Sequence, residues 1–149
     1  MQEKSTLFEK LSKQYHFNAI LFSHTDQTPW AQIFLNDIVR NDKWKIVFLD
    51  DSYIILVKNA ESNKKIIDAF SFSEKTYVLN HSYDSTSLYK LARFFSLVSW
   101  KTQEEKVWQL YIQKDPNSCI ALIRIYTILN ERNDPALTAF FPRIQNCLE

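Results

Sequence analysis

Apolar and polar positions alternate most clearly in the stretch 44–58, WKIVFLDDSYIILVK. Two β-branched and aromatic runs, residues 45–49 and 53–57, flank the polar break Asp50, Asp51, Ser52. Strand formers on both sides of a turn-forming cluster, with no proline in either run, predict a β-hairpin. Upstream, FNAILF at 17–22 reads as a short buried strand. Pro29 is placed for the first turn of a helix running to about Val39, with Trp30, Ile33, Phe34 and Ile38 as its apolar face. Ser5 is expected to cap a first helix striped by Phe8, Leu11 and Tyr15. Strand, helix, strand in this order implies a right-handed crossover, with residues 19–22 parallel beside 45–49 and residues 53–57 joining antiparallel. The prediction is a small three-stranded mixed sheet, a βαβ unit plus an antiparallel hairpin.

Residues 59–82 are less regular. A helix over 61–70 and a short extended piece at 77–79 fit the pattern, and the polar Ser/Asn-rich ends place a boundary here. From Asp84 the periodicity becomes helical. Leu88, Leu91, Ala92, Phe95 and Val98 mark one helix, and Val107, Trp108, Tyr111 and Ile112 a second. Pro116 and Pro135, each preceded by Asp, separate a third helix at 120–129 and a fourth at 136–147, which Pro142 should kink or split. The expected class is α/β followed by all-α, with an α/β subdomain over 1–82 and a helical-hairpin subdomain over 83–149.

Composition narrows the function classes. A hydrophobic share of 46% over 149 residues is that of a globular chain with a core, one domain or two small ones. With 18 basic and 17 acidic residues interspersed, no charge footprint points to nucleic acid or an anionic membrane. No apolar run reaches the ~18–20 residues that span a bilayer, and no signal peptide precedes the first helix, so direct insertion of this segment is not expected. Glycine is absent, whereas an average chain carries about 7%. Phosphate-cradling glycine loops and the nucleophile elbow are thereby excluded, and turns and helix ends must rely on Asn, Asp and Ser. Met1 and the final Leu148, Glu149 read as additions of expression around an excised domain.

Candidate chemistry is sparse. Asp50 and Asp51 follow a strand and could hold Mg²⁺ or Mn²⁺, yet the chain re-enters a strand at once, which favours a turn role. His24, Thr25, Asp26 and Gln27 lie at the carboxyl end of the expected parallel pair, where open α/β sheets bind ligands. His24 with Asp26 could do acid–base work there. The competing reading is a helix-entry loop capped by Asp26 or Thr28. His24, Asp26, Gln27 and Trp30 are the best ligand-binding candidates, and no metal site or cofactor is implied. His16 and His81 are isolated and lack metal-ligand spacing. Trp30, Trp44, Trp100 and Trp108 suit either a sugar- or peptide-binding surface or a core. If the last two helices are antiparallel, Cys119 and Cys147 can meet in a disulfide, which would indicate an extracytoplasmic site. Two reduced, half-buried thiols on a cytosolic helix pair stand as the equal alternative.

Two resemblances extend this reading. Leu88, Leu91, Ala92 and Phe95, then Trp108, Tyr111 and Pro116, resemble the packing positions of tetratricopeptide helical hairpins. Glu104 departs from that pattern where a small residue belongs, and Leu122, Ile125 and Leu129 keep little of it. Two units also fall short of the ~3 repeats an independent solenoid needs. The order over residues 7–58 is a helix ending in Tyr15, FNAIL at 17–21, a helix from Trp30, DKWKIVFLDD at 42–51 and a last strand at 54–58. It resembles the soluble C-terminal region of bacterial polytopic membrane proteins of the glycosyltransferase-C (oligosaccharyltransferase-like) type. In those proteins the catalytic carboxylates lie in the membrane part. The resemblance therefore implies a non-catalytic accessory domain, on the extracytoplasmic face, whose partner is the membrane-embedded part of the parent or another protein. A cytoplasmic, free-standing tetratricopeptide-like adaptor binding peptide in its helical groove is the alternative. A small metal-dependent enzyme using His24, Asp26 and Asp50 is the third.

Overall fold

The computed structural model describes residues 2–147, with side chains from Leu7 onward. Met1, Leu148 and Glu149, read above as additions, lie outside the described residues. The chain divides into two compact units, Met1–Tyr77 and Val78–Glu149.

In the first unit, helix α1 (Gln2–Gln14) leads to strand β1 (Ala19–Ser23), helix α2 (Pro29–Val39), strands β2 (Trp44–Leu49) and β3 (Tyr53–Lys58), and helix α3 (Lys64–Phe70) behind a short 3-10 turn. Pro29 opens α2 as expected, since it lacks the N–H that a first helical turn leaves unpaired. Ser5, expected to cap α1, falls inside that helix. Residues 77–79 form no strand; the extended contact of this stretch is Phe72, whose N–H donates to Ile46 O at 3.1 Å.

The hairpin forms where expected, but the strand order is β1-β3-β2 and every pairing is antiparallel. The parallel pairing of residues 19–22 with 45–49 is therefore corrected. β1 and β2 do run the same way, with β3 inserted between them. The central place goes to the most apolar strand, in which Ile54, Leu56 and Val57 are buried, because a central strand satisfies its main-chain groups on both sides. A bulge between Ile46 and Phe48 shifts the parity of β2, so Leu49 turns inward and Phe48 outward.

β1 is an edge strand and only half-buried, with Ile20 its one fully buried residue and Leu21 68% exposed. The N–H of Lys58 donates to Asn18 O and that of His24 to Ser52 O. That alternation turns the main-chain groups of Ala19 and Leu21 away from β3, toward the open edge. On the covered face, Phe34 of α2 meets Phe22 of β1 and Phe8 of α1, with ring centres 5.2 and 5.1 Å apart.

The second unit is all helical: α4 (Ser85–Val98), α5 (Lys101–Lys114), α6 (Cys119–Glu131) and α7 (Leu137–Gln145), each packed on the next. Asp84 caps α4, its Oδ1 accepting from the N–H of Ser87 at 2.7 Å. α7 is not split at Pro142. Glu104 is fully buried, and its carboxylate pairs with Arg124, whose guanidinium also donates to Ser96 Oγ. The helices α4, α5 and α6 are thus tied by a buried charge where a tetratricopeptide hairpin would place a small residue. Cys119 and Cys147 are joined by a disulfide with Cα atoms 5.4 Å apart.

Candidate functional site

His24 follows β1, and it is buried against the hairpin turn rather than opening into a ligand crevice. Its Nε2 lies 2.9 Å from the carbonyl oxygen of Asp50. Because a carbonyl only accepts, Nε2 carries the proton. The N–H of His24 and the Oγ of Ser23 both donate to Ser52 O, at 3.1 and 3.3 Å. Burial pushes the imidazole pKa below its ordinary 6.5, against the opposing pull of the Asp50 carbonyl and the Asp50 and Asp51 carboxylates. His24 thus latches the end of β1 to the turn of the hairpin.

The neighbouring candidates have local partners as well. Asp26 Oδ1 accepts from the N–H of Thr28 at 2.8 Å, and its carbonyl accepts from Gln32 Nε2, fixing the entry to α2. Gln27 Nε2 donates to Thr25 O at 2.8 Å. Asp50 Oδ1 accepts from the N–H groups of Ser52 and Tyr53, at 2.8 and 2.7 Å, so this carboxylate organises the turn. Among the described residues no group of three or more metal-ligating side chains is assembled. The antiparallel sheet also removes the topological argument for a ligand at the end of β1, since that argument rests on a parallel pair.

Trp30, the fourth candidate, stands apart from His24. It was expected on the inner face of α2 with Ile33, Phe34 and Ile38; Ile38 is buried there, but Trp30 and Ile33 are exposed and Ala31 and Leu35 are buried in their place. The indole, 51% exposed, meets Phe22 edge-on at 6.2 Å and forms one wall of an open apolar groove of about 630 Å³. Leu7, Phe8 and Leu11 of α1 make the opposite wall, and Phe17, Leu21 and Phe22 line it along β1. The groove is apolar and follows the open edge of β1, so side-chain contact and main-chain pairing are offered side by side. Trp44, Trp100 and Trp108 are core residues.

Sequence reasoning put Phe8 and Leu11 on the apolar stripe of the first helix and read 17–22 as a buried strand throughout, Leu21 included, whereas Leu21 is exposed. The signal was present in the alternation of β1, which puts Leu21 on the face opposite Ile20 and Phe22. Compared with family models, curated proteins and solved structures, the chain matches none.

Proposed function

We propose that this chain is a non-catalytic accessory domain and that the groove between α1, β1 and α2 seats an apolar segment of its partner. The observation that carries the reading is an apolar groove walled by exposed Leu7 and Trp30, beside the open edge of β1, where Leu21 is exposed as well. Monomeric proteins seldom leave such a patch open unless something docks on it, and extended segments bind by adding to a sheet edge. The resemblance to the C-terminal region of glycosyltransferase-C-type membrane proteins suggests the partner, namely the membrane-embedded part of a parent chain. Among the described residues no helix is long and apolar enough to cross a membrane, so such spans would belong to that part. The Cys119–Cys147 disulfide supports an extracytoplasmic position, because such bonds persist in oxidising compartments. The groove lies in the α/β unit, which favours this reading over an adaptor that binds peptide on its helices.

The test starts with the reading frame around the chain. Several apolar spans of ~20 residues upstream of Gln2 support the proposal, whereas a stop codon or a soluble domain there overturns it and puts the adaptor first. In the parent protein, a photoreactive side chain at Leu21 should crosslink to the membrane part, and Trp30→Ala should abolish that crosslink.

A further inference from the structure

The last helix of the second unit buries less than the other three and is joined to α6 by a covalent bond. α7 is 9 residues long, and Ile144 is its one buried residue. Isolated helices below about 12–15 residues are marginal in water. No side chain caps its start, and Pro142 removes a main-chain donor from its interior. Beyond the packing of Ile144 and of half-buried Leu137 and Phe140, α7 is held by Asp134 Oδ1, which accepts from Ala136 N–H before its start, by Arg143, which donates to Pro116 O at 2.6 Å, and by the bond from Cys147, just past its end, to Cys119 at the start of α6. Phe141, on the same helix, is 52% exposed. α4, α5 and α6 contrast with it, since each buries five or more side chains.

We propose that the Cys119–Cys147 bond is a redox-operated clasp: thiol reduction releases α7 from α6 while α4, α5 and α6 stay folded. Of the two bonded residues, Cys119 is the more exposed. The thiolate of an external dithiol attacks Cys119 Sγ, the S–S bond breaks, and Cys147 leaves as a thiolate that takes up a proton. The second thiol of the reductant then displaces Cys119 as a thiol, and the reductant departs as its disulfide, two electrons having passed to the protein. Release uncovers the surface of α6 under Ile144, an apolar face that the oxidised protein conceals. The inference is independent of the groove in the α/β unit.

Hydrogen exchange on the full chain, oxidised and then treated with dithiothreitol, decides it. On reduction the main-chain amides of 137–147 should exchange at least tenfold faster, with α4 and α5 unchanged, and oxidised glutathione should restore the slow exchange. Trypsin cleavage after Arg143 should accelerate in parallel. The variant carrying both Cys119→Ser and Cys147→Ser should exchange fast at 137–147 whatever the reductant. Unchanged exchange in α7 after complete reduction overturns the proposal. So does a joint loss of protection across α4, α5 and α6, which would make the bond a staple of the whole unit. Two titratable thiols persisting after oxidation would overturn it too.

Discussion

A chain without glycine must end its helices with side chains attached, and three of the described residues accept the left-handed region to do so: His16 (φ 53°), Ser99 (φ 62°) and Asn133 (φ 54°). Each closes a helix by the same bond across six residues. Phe17 N–H donates to Ser12 O, Trp100 to Phe95 O and Asp134 to Leu129 O. After α4 the ring of Trp100 also stacks on Phe95 at 5.7 Å, the apolar contact that accompanies this ending. A left-handed residue with a Cβ costs about 1–2 kcal/mol, partly offset by the entropy that glycine loses on folding. Ser99→Gly should therefore stabilise the helical unit by about 0.5–1 kcal/mol, and Asn133→Gly by less, since asparagine tolerates this region. Thermal unfolding followed by circular dichroism reads both.

His24 makes a second prediction at this scale. Its folded pKa lies below the ordinary 6.5, so the unfolded chain binds the proton more readily. Its contribution is fully present above pH ~6.5 and is lost as pH falls from there through the folded pKa. His24→Gln, which keeps a donor for Asp50 O, should flatten the decline in melting temperature between pH 7 and 5. An unchanged slope would mean that another group governs it.

Among elements, the central place of β3 has a measurable consequence. Leu56→Ala should cost about 2–5 kcal/mol, whereas Leu21→Ala on the open edge should stay within about 0.5 kcal/mol. Urea midpoints of the two variants separate them. In the helical unit, Arg124→Ala leaves Glu104 buried without its counter-charge. The cost should be about 2–3 kcal/mol, below the 3–5 of a fully buried pair because the Arg124 side chain is 38% exposed. Replacing both residues by leucine should recover most of that loss.

The elements themselves were legible because their signals are local. Pro29, Asp84, Pro116 and Pro135 punctuate the helices, and Asp50 marks the hairpin turn. Their partners were not legible. Periodicity shows which side of a strand is apolar and is silent on which neighbour it takes, so β3 was placed at the edge. One added residue in β2 reversed the fate of Phe48 and Leu49. Trp30 misled for a related reason: α2 carries more apolar positions than one inner face holds, and Ala31 and Leu35 take the buried places beside Ile38. Asp26 was legible as a helix-entry residue beside its catalytic reading, whereas His24 looks catalytic by residue type and only its bond to Asp50 O shows it holding the turn.

At the scale of the whole molecule, each unit has its own core: Leu35, Ile54 and Leu56 in one, Leu91, Phe95 and Ile125 in the other. Chains cut between Tyr77 and Val78 should each fold alone, one giving a mixed spectrum and the other a helical one. Separate urea titrations would test this, and a fragment that stays unfolded would show that its unit depends on the other. The open edge of β1 bears on handling as well. An edge strand with leucine at its centre and no charged side chain between Ala19 and Ser23 lacks the devices that keep sheets from growing chain upon chain. Kept apart from whatever covers that edge, the protein is expected to age in storage into ordered aggregates seeded at β1, and a lysine in place of Leu21 should lengthen its shelf life.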